Sequence, residues 1–376
     1  MTTQSHLQWI EEGQPGKSAT LPWRSETGAA APKRVRVADD RMTADAALRL
    51  ASEGHALLWR GDFQNARQLL QALARRIDRK PRKTGATPAE NFHLHRQAQA
   101  HRARILGMLL IPFDAGYSIS LRRAPDVLQA CLETYGPDDG PFATSLRELL
   151  GVIGAHEWRK KGVEIPALGA RIHPHYGVFS PVRGEYVAMV ADAPLPSTAL
   201  AFDIGTGTGV LAAILARRGV RRVVATDQDR RALACAQGNI ERLGYSSQVD
   251  VVEADLFPAG KAPLIVCNPP WIPARPSSAI EYAVYDPDNR MLRGFLGGLA
   301  ARLEPGGEGW LILSDIAEHL GLRSRADLLA LIDGAGLKVA GRIDARPHHP
   351  KSSDPGDPLH AARAAEVTSL WRLAAR

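Results

Sequence analysis

Three glycines at alternate positions, in the stretch Asp203-Ile204-Gly205-Thr206-Gly207-Thr208-Gly209, constrain this chain more than any other feature. Upstream, TALAFDI (198–204) is a short apolar run closed by an acid, which reads as a buried strand. Downstream, VLAAILARR (210–218) has helical spacing and a basic last turn. A strand that becomes a helix through three glycines predicts a backbone pressed against a ligand, because a Cβ would obstruct the approach. The helix then aims its free N–H groups and positive dipole end at that ligand. The expected fold is α/β, with a Rossmann-like sheet.

Dinucleotide folds use the same device with the fingerprint G-x-G-x-x-G. Here the third glycine arrives one residue early, and Asp203 puts a carboxylate where an ammonium suits better than a pyrophosphate. An ordinary βα turn without ligand is the plain alternative. The next strand, RRVVAT (221–226), ends in Asp227, close to the offset at which such folds set an acid on ribose hydroxyls. Asp229 is the better cap for the helix DRRALACAQGNIERLG (229–244), which leaves Asp227, followed by Gln228, free for the ligand. A third strand, QVDVVEA (248–254), leads to Asp255 and Leu256, candidates for an adenine amine and its ring; a turn before Pro258 is the bland reading of Asp255.

APLIVCNPPW (262–271) reads as a fourth buried strand stopped by prolines, which places Asn268 at its carboxyl end, where ligands bind in open α/β sheets. An –NH2 conjugated to a carbonyl or ring is a poor nucleophile, because its lone pair is delocalised. The Asn268 side-chain oxygen and the Pro269 carbonyl can accept its two hydrogens and turn the lone pair outward. Pro269 and Pro270 preorganise the acceptors, and Trp271 can stack on a planar target. A strand-ending turn with Trp271 in the core is the alternative. Taken with the glycine turn, the motif points to methyl transfer to nitrogen from S-adenosylmethionine, whose methionine half carries the ammonium. Near-attack alignment is the main requirement, with no metal or dedicated base.

Residues 198–315 resemble a class I S-adenosylmethionine-dependent methyltransferase of the amino-methylating subgroup, with its acid-x-G-x-G-x-G loop and [N/D]-P-P-[F/Y/W] motif in this order. The resemblance implies a seven-stranded sheet of order 3-2-1-4-5-7-6 with the last strand antiparallel. It implies donor binding by Asp203, Gly205, Thr206, Gly207, Gly209, Asp227, Gln228, Asp255, Leu256 and Asn268, and acceptor holding by Asn268, Pro269, Pro270 and Trp271. Phe179, Ser180 and Arg183, in the approach RIHPHYGVFSPVRGEYVAMV (171–190), are candidates for the acceptor pocket; a mere linker is the alternative. The subgroup includes enzymes acting on base amines of RNA or DNA and on release-factor glutamines. A metabolite acceptor and a non-catalytic donor-binding scaffold are the further alternatives.

The expected organisation is a flexible basic arm (1–40), a mainly helical accessory domain (41–165) and the catalytic domain (166–376). Helices are expected over 43–61, 62–80, 90–106, 125–135 and 143–161, with one or two strands in 108–121. Residues 1–161 hold 24 Lys/Arg against 17 Asp/Glu, which accounts for the whole formal charge of +7. The charge peaks at Arg75, Arg76, Arg79, Lys80, Arg82 and Lys83, a feature suited to nucleic acid or a nucleoprotein, or else a solvated helix end. Cys131, Cys235 and Cys267 are too scattered for a disulfide framework or zinc site, and the histidine pairs lack ligand spacing. No apolar run has membrane-spanning length and the first residues lack a signal-peptide layout, so a cytoplasmic setting is expected.

Overall fold

The computed structural model describes residues 5–11, 18–79, 81, 83–182, 184–276, 279–347 and 356–376. Lys80, Arg82, Arg183 and residues 348–355 lie outside these residues. The chain divides into two compact units, one of residues 1–84 and 93–157, the other of 85–92 and 158–376.

The first unit is a mixed α/β structure, which corrects the expectation of a mainly helical module. Its sheet has the order β3-β4-β5-β6, from β3 (Arg34–Ala38), β4 (His55–Trp59), β5 (Leu109–Phe113) and β6 (Phe142–Ser145). The first three strands are parallel and β6 is antiparallel to β5. Helices α1 (Ala44–Ser52), α2 (Phe63–Asp78), α3 (Pro88–Leu106), α4 (Leu128–Tyr135) and α5 (Leu146–Lys161) accompany it. The helix expected over 43–61 is in fact α1 plus β4. Gly54 turns the chain at φ +86, and HALLW, buried along nearly its whole length, pairs on both sides. A short apolar run of this kind has no period that separates strand from helix.

The flexible arm is likewise corrected. A hairpin of β1 (His6–Ile10) and β2 (Ser18–Pro22) buries Leu7 and Trp9 in one core with Trp23, Leu58, Leu110 and Ala143. Trp23 bridges Ala143 in parallel, and the Arg24 guanidinium lies 4.8 Å from the Phe142 ring centre. The half-buried Glu148 carboxylate accepts from Ser25 Oγ, the Glu26 N–H, Tyr135 OH and Thr144 Oγ1. Low overall apolarity hid these few large anchors.

In the second unit, a two-stranded ribbon of β7 (Val163–Ile165) and β8 (Ala170–Ile172) precedes α6 (Glu185–Asp192). The main sheet then comprises β9 (Leu200–Ile204), β10 (Arg222–Asp227), β11 (Val249–Glu253), β12 (Ala262–Cys267), β13 (Leu303–Ser314), β14 (Leu337–Ala345) and β15 (Thr368–Ala375). Their order is β11-β10-β9-β12-β13-β15-β14, with β15 antiparallel to both neighbours, as the resemblance implies. Helices α7 (Val210–Arg217), α8 (Arg230–Leu243), α9 (Arg290–Arg302), α10 (Ile316–His319), α11 (Arg325–Gly334) and α12 (His360–Ala365) complete it. The strand period of two sorts the core cleanly. Ala201, Leu264, Val266 and Ile312 face α6, α7 and α8, whereas Phe202, Ile265, Cys267 and Leu311 face α9 and α11.

Candidate active site

Parallel pairing fixes the centre of the site. Ile204, the last residue of β9, is the register partner of Cys267, the last residue of β12. Gly205 and Asn268 therefore leave adjacent strand ends side by side, and the glycine turn meets the NPPW motif at the carboxyl edge of the sheet.

Gly205, Gly207 and Gly209 have φ of +70, +56 and +79, a region that disfavours any side chain. At Gly205 a Cβ would also meet the Met291 methyl at 2.5 Å, and at Gly209 the Ala236 backbone at 3.2 Å. A Cβ at Gly207 would meet nothing nearer than the Gly205 carbonyl oxygen at 4.0 Å. Thr206 N–H donates to the Thr226 carbonyl and Gly207 N–H to Asp227 Oδ2, so β10 braces the turn.

Asp203 is buried on the α7 side of β9. Its Oδ2 accepts from Thr206 Oγ1 at 2.6 Å and from the Ala212 N–H at 3.1 Å. It shapes the turn and the start of α7 from beneath. Burial pushes its pKa up to about 6, against the pull of those two donors. Asp227 is also raised by burial, and its Oδ2 accepts from the Gly207 N–H and its Oδ1 from the Asp229 N–H. Gln228 beside it is exposed.

Asp255 is exposed and pairs with Arg290 at 3.2 Å. Leu256 adopts φ +71, a conformation that costs a β- or γ-branched residue about 1–3 kcal/mol. Two features hold it there: Thr226 Oγ1 donates to its carbonyl at 2.6 Å, and its side chain fills the space over Gly294 in α9. Phe257 rests over Gly298, one helical turn on, and stacks on Phe295. Glycines four apart on α9 thus seat both residues, a signal that only the helix partner reveals.

Asn268 is half-buried, and its Oδ1 accepts from the Trp271 indole N–H at 2.9 Å. The Trp271 ring packs where three apolar clusters meet. Buried Arg323 donates to the Trp271 carbonyl and to Asn289 Oδ1, and Asp286 Oδ1 and Oδ2 accept from the Met291 and Leu292 N–H groups at the start of α9. Ile272 pairs with Tyr285, closing the chain after the motif. Arg323, Asp286 and Met291 were not evident from the sequence, because nothing local ties them to the motifs.

The approach segment is fixed by Asn239, whose amide spans the His173 N–H and the Thr208 carbonyl of the glycine turn. Val178 then packs on Ala232 and Cys235 of α8. Phe179 and Ser180 follow, half-buried, and the Ser180 hydroxyl is buried without a protein partner. In the N-terminal unit, Arg75, Arg79 and Lys83 are exposed, whereas Arg76 pairs with Asp45 at 2.7 Å.

A 3-2-1-4-5-7-6 sheet with a glycine turn after its first strand and an acid after its second defines the class I methyltransferase fold. Residues 169–321 match the family described as Methyltransferase small domain. The chain belongs to the class I S-adenosylmethionine-dependent N-methyltransferases. It is 37% identical over 144 residues to a ribosomal protein L11 methyltransferase of Pelotomaculum thermopropionicum, covering 38% of this chain and 39% of that one. A tRNA1(Val) (adenine(37)-N6)-methyltransferase of Bacteroides fragilis is 32% identical, over 40% of this chain and 70% of its own. A release factor glutamine methyltransferase of Gloeobacter violaceus is 32% identical, over 45% and 56% respectively. The chain thus spans well under half of the first relative and a little over two thirds of the second. The cofactor of the family is S-adenosylmethionine.

Proposed function

We propose that this protein transfers the methyl group of S-adenosylmethionine to an exocyclic base amine of RNA or DNA. The observation that supports the reading is the pairing of Ile204 with Cys267, from which Gly205 and Asn268 leave adjacent strand ends. The residues present fit the cofactor: a glycine turn uncrowded at Gly207, the Asp227 carboxylate at the end of β10, and buried Asp203 without a cation for the methionine end. Gly205, Thr206, Gly209, Gln228, Asp255 and Leu256 complete the donor side. When bound, the sulfonium supplies an electrophilic methyl. The chain's own part is to hold the amine. Asn268 Oδ1 and the Pro269 carbonyl accept its hydrogens and free the lone pair, Pro270 holds the turn, and Trp271 borders the target. Phe179 and Ser180 border the acceptor side, and Arg183, outside the described residues, remains a candidate there from the sequence.

A base amine is favoured over a protein by charge. The net +7 lies wholly in residues 1–161, and Arg75, Arg79 and Lys83 present part of it to solvent, with Lys80 and Arg82 adjacent in sequence. The B. fragilis relative, named for adenine N6, agrees. Protein glutamine is the second reading, favoured by the relatives named for release factors. The three free cysteines are buried, and no described helix is long and apolar enough to cross a membrane; a reducing cytoplasm is the proposed setting. The test uses methyl-labelled donor with separated RNA, DNA and protein fractions. Label recovered as an N-methylated nucleoside supports the reading; label recovered as N-methylglutamine replaces it with the second.

A further inference from the structure

The hydrogen bond between Trp271 and Asn268 has a role that stacking does not explain. An asparagine beside a turn normally gives its side-chain oxygen to a backbone N–H one or two residues on. Positions 269 and 270 are both proline and have no N–H to offer. The donor to Oδ1 is instead the Trp271 indole, three residues on, at 2.9 Å. Indole N–H is a donor with no acceptor capacity, so only the oxygen of the amide, and never its NH2, can face it. That settles which end of the amide points where.

We propose that Trp271 is a positioning residue that fixes the polarity of the Asn268 amide. The inference rests on the role given above to Asn268. A rotated amide would present N–H groups to an incoming –NH2, donor against donor. With the indole on one lone pair of Oδ1, the second lone pair remains for one hydrogen of the acceptor. The ring is suited to this because it does not swing freely: it packs among three apolar clusters, and Arg323 holds its carbonyl. The two prolines thus act twice, stiffening the turn and removing the donors that would compete for Oδ1.

Trp271→Phe keeps an aromatic ring and deletes the donor together with part of the packed ring. With labelled donor and unmodified total tRNA, its kcat should fall roughly two- to tenfold, the size of one ordinary hydrogen bond, with donor KM near that of the parent and a melting temperature lowered by the lost packing. In an Asn268→Ala background the same change should add nothing. Independently of any acceptor, the Trp271 indole N–H resonance, assigned by its absence from Trp271→Phe among the seven tryptophans, should move upfield and exchange faster in Asn268→Ala. An unmoved resonance, or parental turnover in Trp271→Phe alongside an inactive Asn268→Ala, overturns the role of Trp271 alone. Parental turnover in Asn268→Ala overturns the function on which it rests as well.

Discussion

Both units bury carboxylates, but they treat them differently. In the N-terminal unit Asp62 is buried at the start of α2 and takes ion pairs from Arg122 at 2.8 Å and Arg123 at 2.7 Å, which hold its carboxyl far below the usual range. Glu148 lacks a cation and is raised by burial, yet donors from four residues converge on it. In the catalytic unit Asp203 and Asp227 have, among the described residues, local donors and no cation, and pKa values pushed upward. A buried acid that its own fold has not neutralised is available to a cationic ligand. The contrast separates acids held by paired arginines or several converging donors in the first unit from acids held by one or two local donors in the second.

The largest effect should come from the acceptor side. Asn268→Ala is expected to lower single-turnover methylation by roughly 10²–10³-fold, as removal of an oriented polar group at a reacting centre does, while calorimetric donor affinity stays parental. Loss of donor binding in that variant would move Asn268 to the cofactor half of the site. Next, Asp227→Ala should raise the donor Kd about 10- to 100-fold, the range for a hydrogen bond to a charged group; parental affinity by calorimetry removes the ribose role.

The third effect is a pH dependence. Asp203 has its folded pKa raised to about 6. The folded chain therefore takes up this proton before the unfolded chain does, so the group's contribution to stability worsens as pH rises from the ordinary carboxylate range through about 6. Donor binding should respond in the opposite sense. Affinity should weaken as pH falls below about 6, approaching tenfold per pH unit for one linked proton. Asp203→Asn should flatten that profile; an unchanged slope would assign it to another group. The smallest effect belongs to the first unit. Reversing Arg75, Arg79 and Lys83 to Glu should reduce the slope of log affinity for tRNA against log salt by about 0.9 per lost phosphate contact. Catalysis on a minimal acceptor should stay parental, and an unaltered slope would detach this cluster from nucleic acid.

The catalytic sheet was legible because its punctuation is local. Four of its strands are mostly apolar runs closed by Asp203, Asp227, Asp255 or Asn268, and buried parallel strands such as β9 and β12 need no partner to be recognised. The first unit resisted for the opposite reason. β4 is five residues behind a glycine, and the 1–40 segment is held by Trp9, Trp23 and Arg24 reaching residues more than a hundred positions away. Within the site, the glycine turn and Asn268 stood out, whereas the support from Met291, Gly294 and Arg323 depends on how α9 and the following chain return to the sheet edge.

The tether at Glu148 has a practical consequence. Cutting the chain at residue 40, where composition suggests a dispensable tail, would leave that carboxylate without its Ser25 and Glu26 donors and would uncover the Phe142 ring. Such a shortened protein should be prone to self-association, and a variant meant to carry the catalytic unit alone is better begun after residue 157, keeping 85–92 in mind as a strip it would lose.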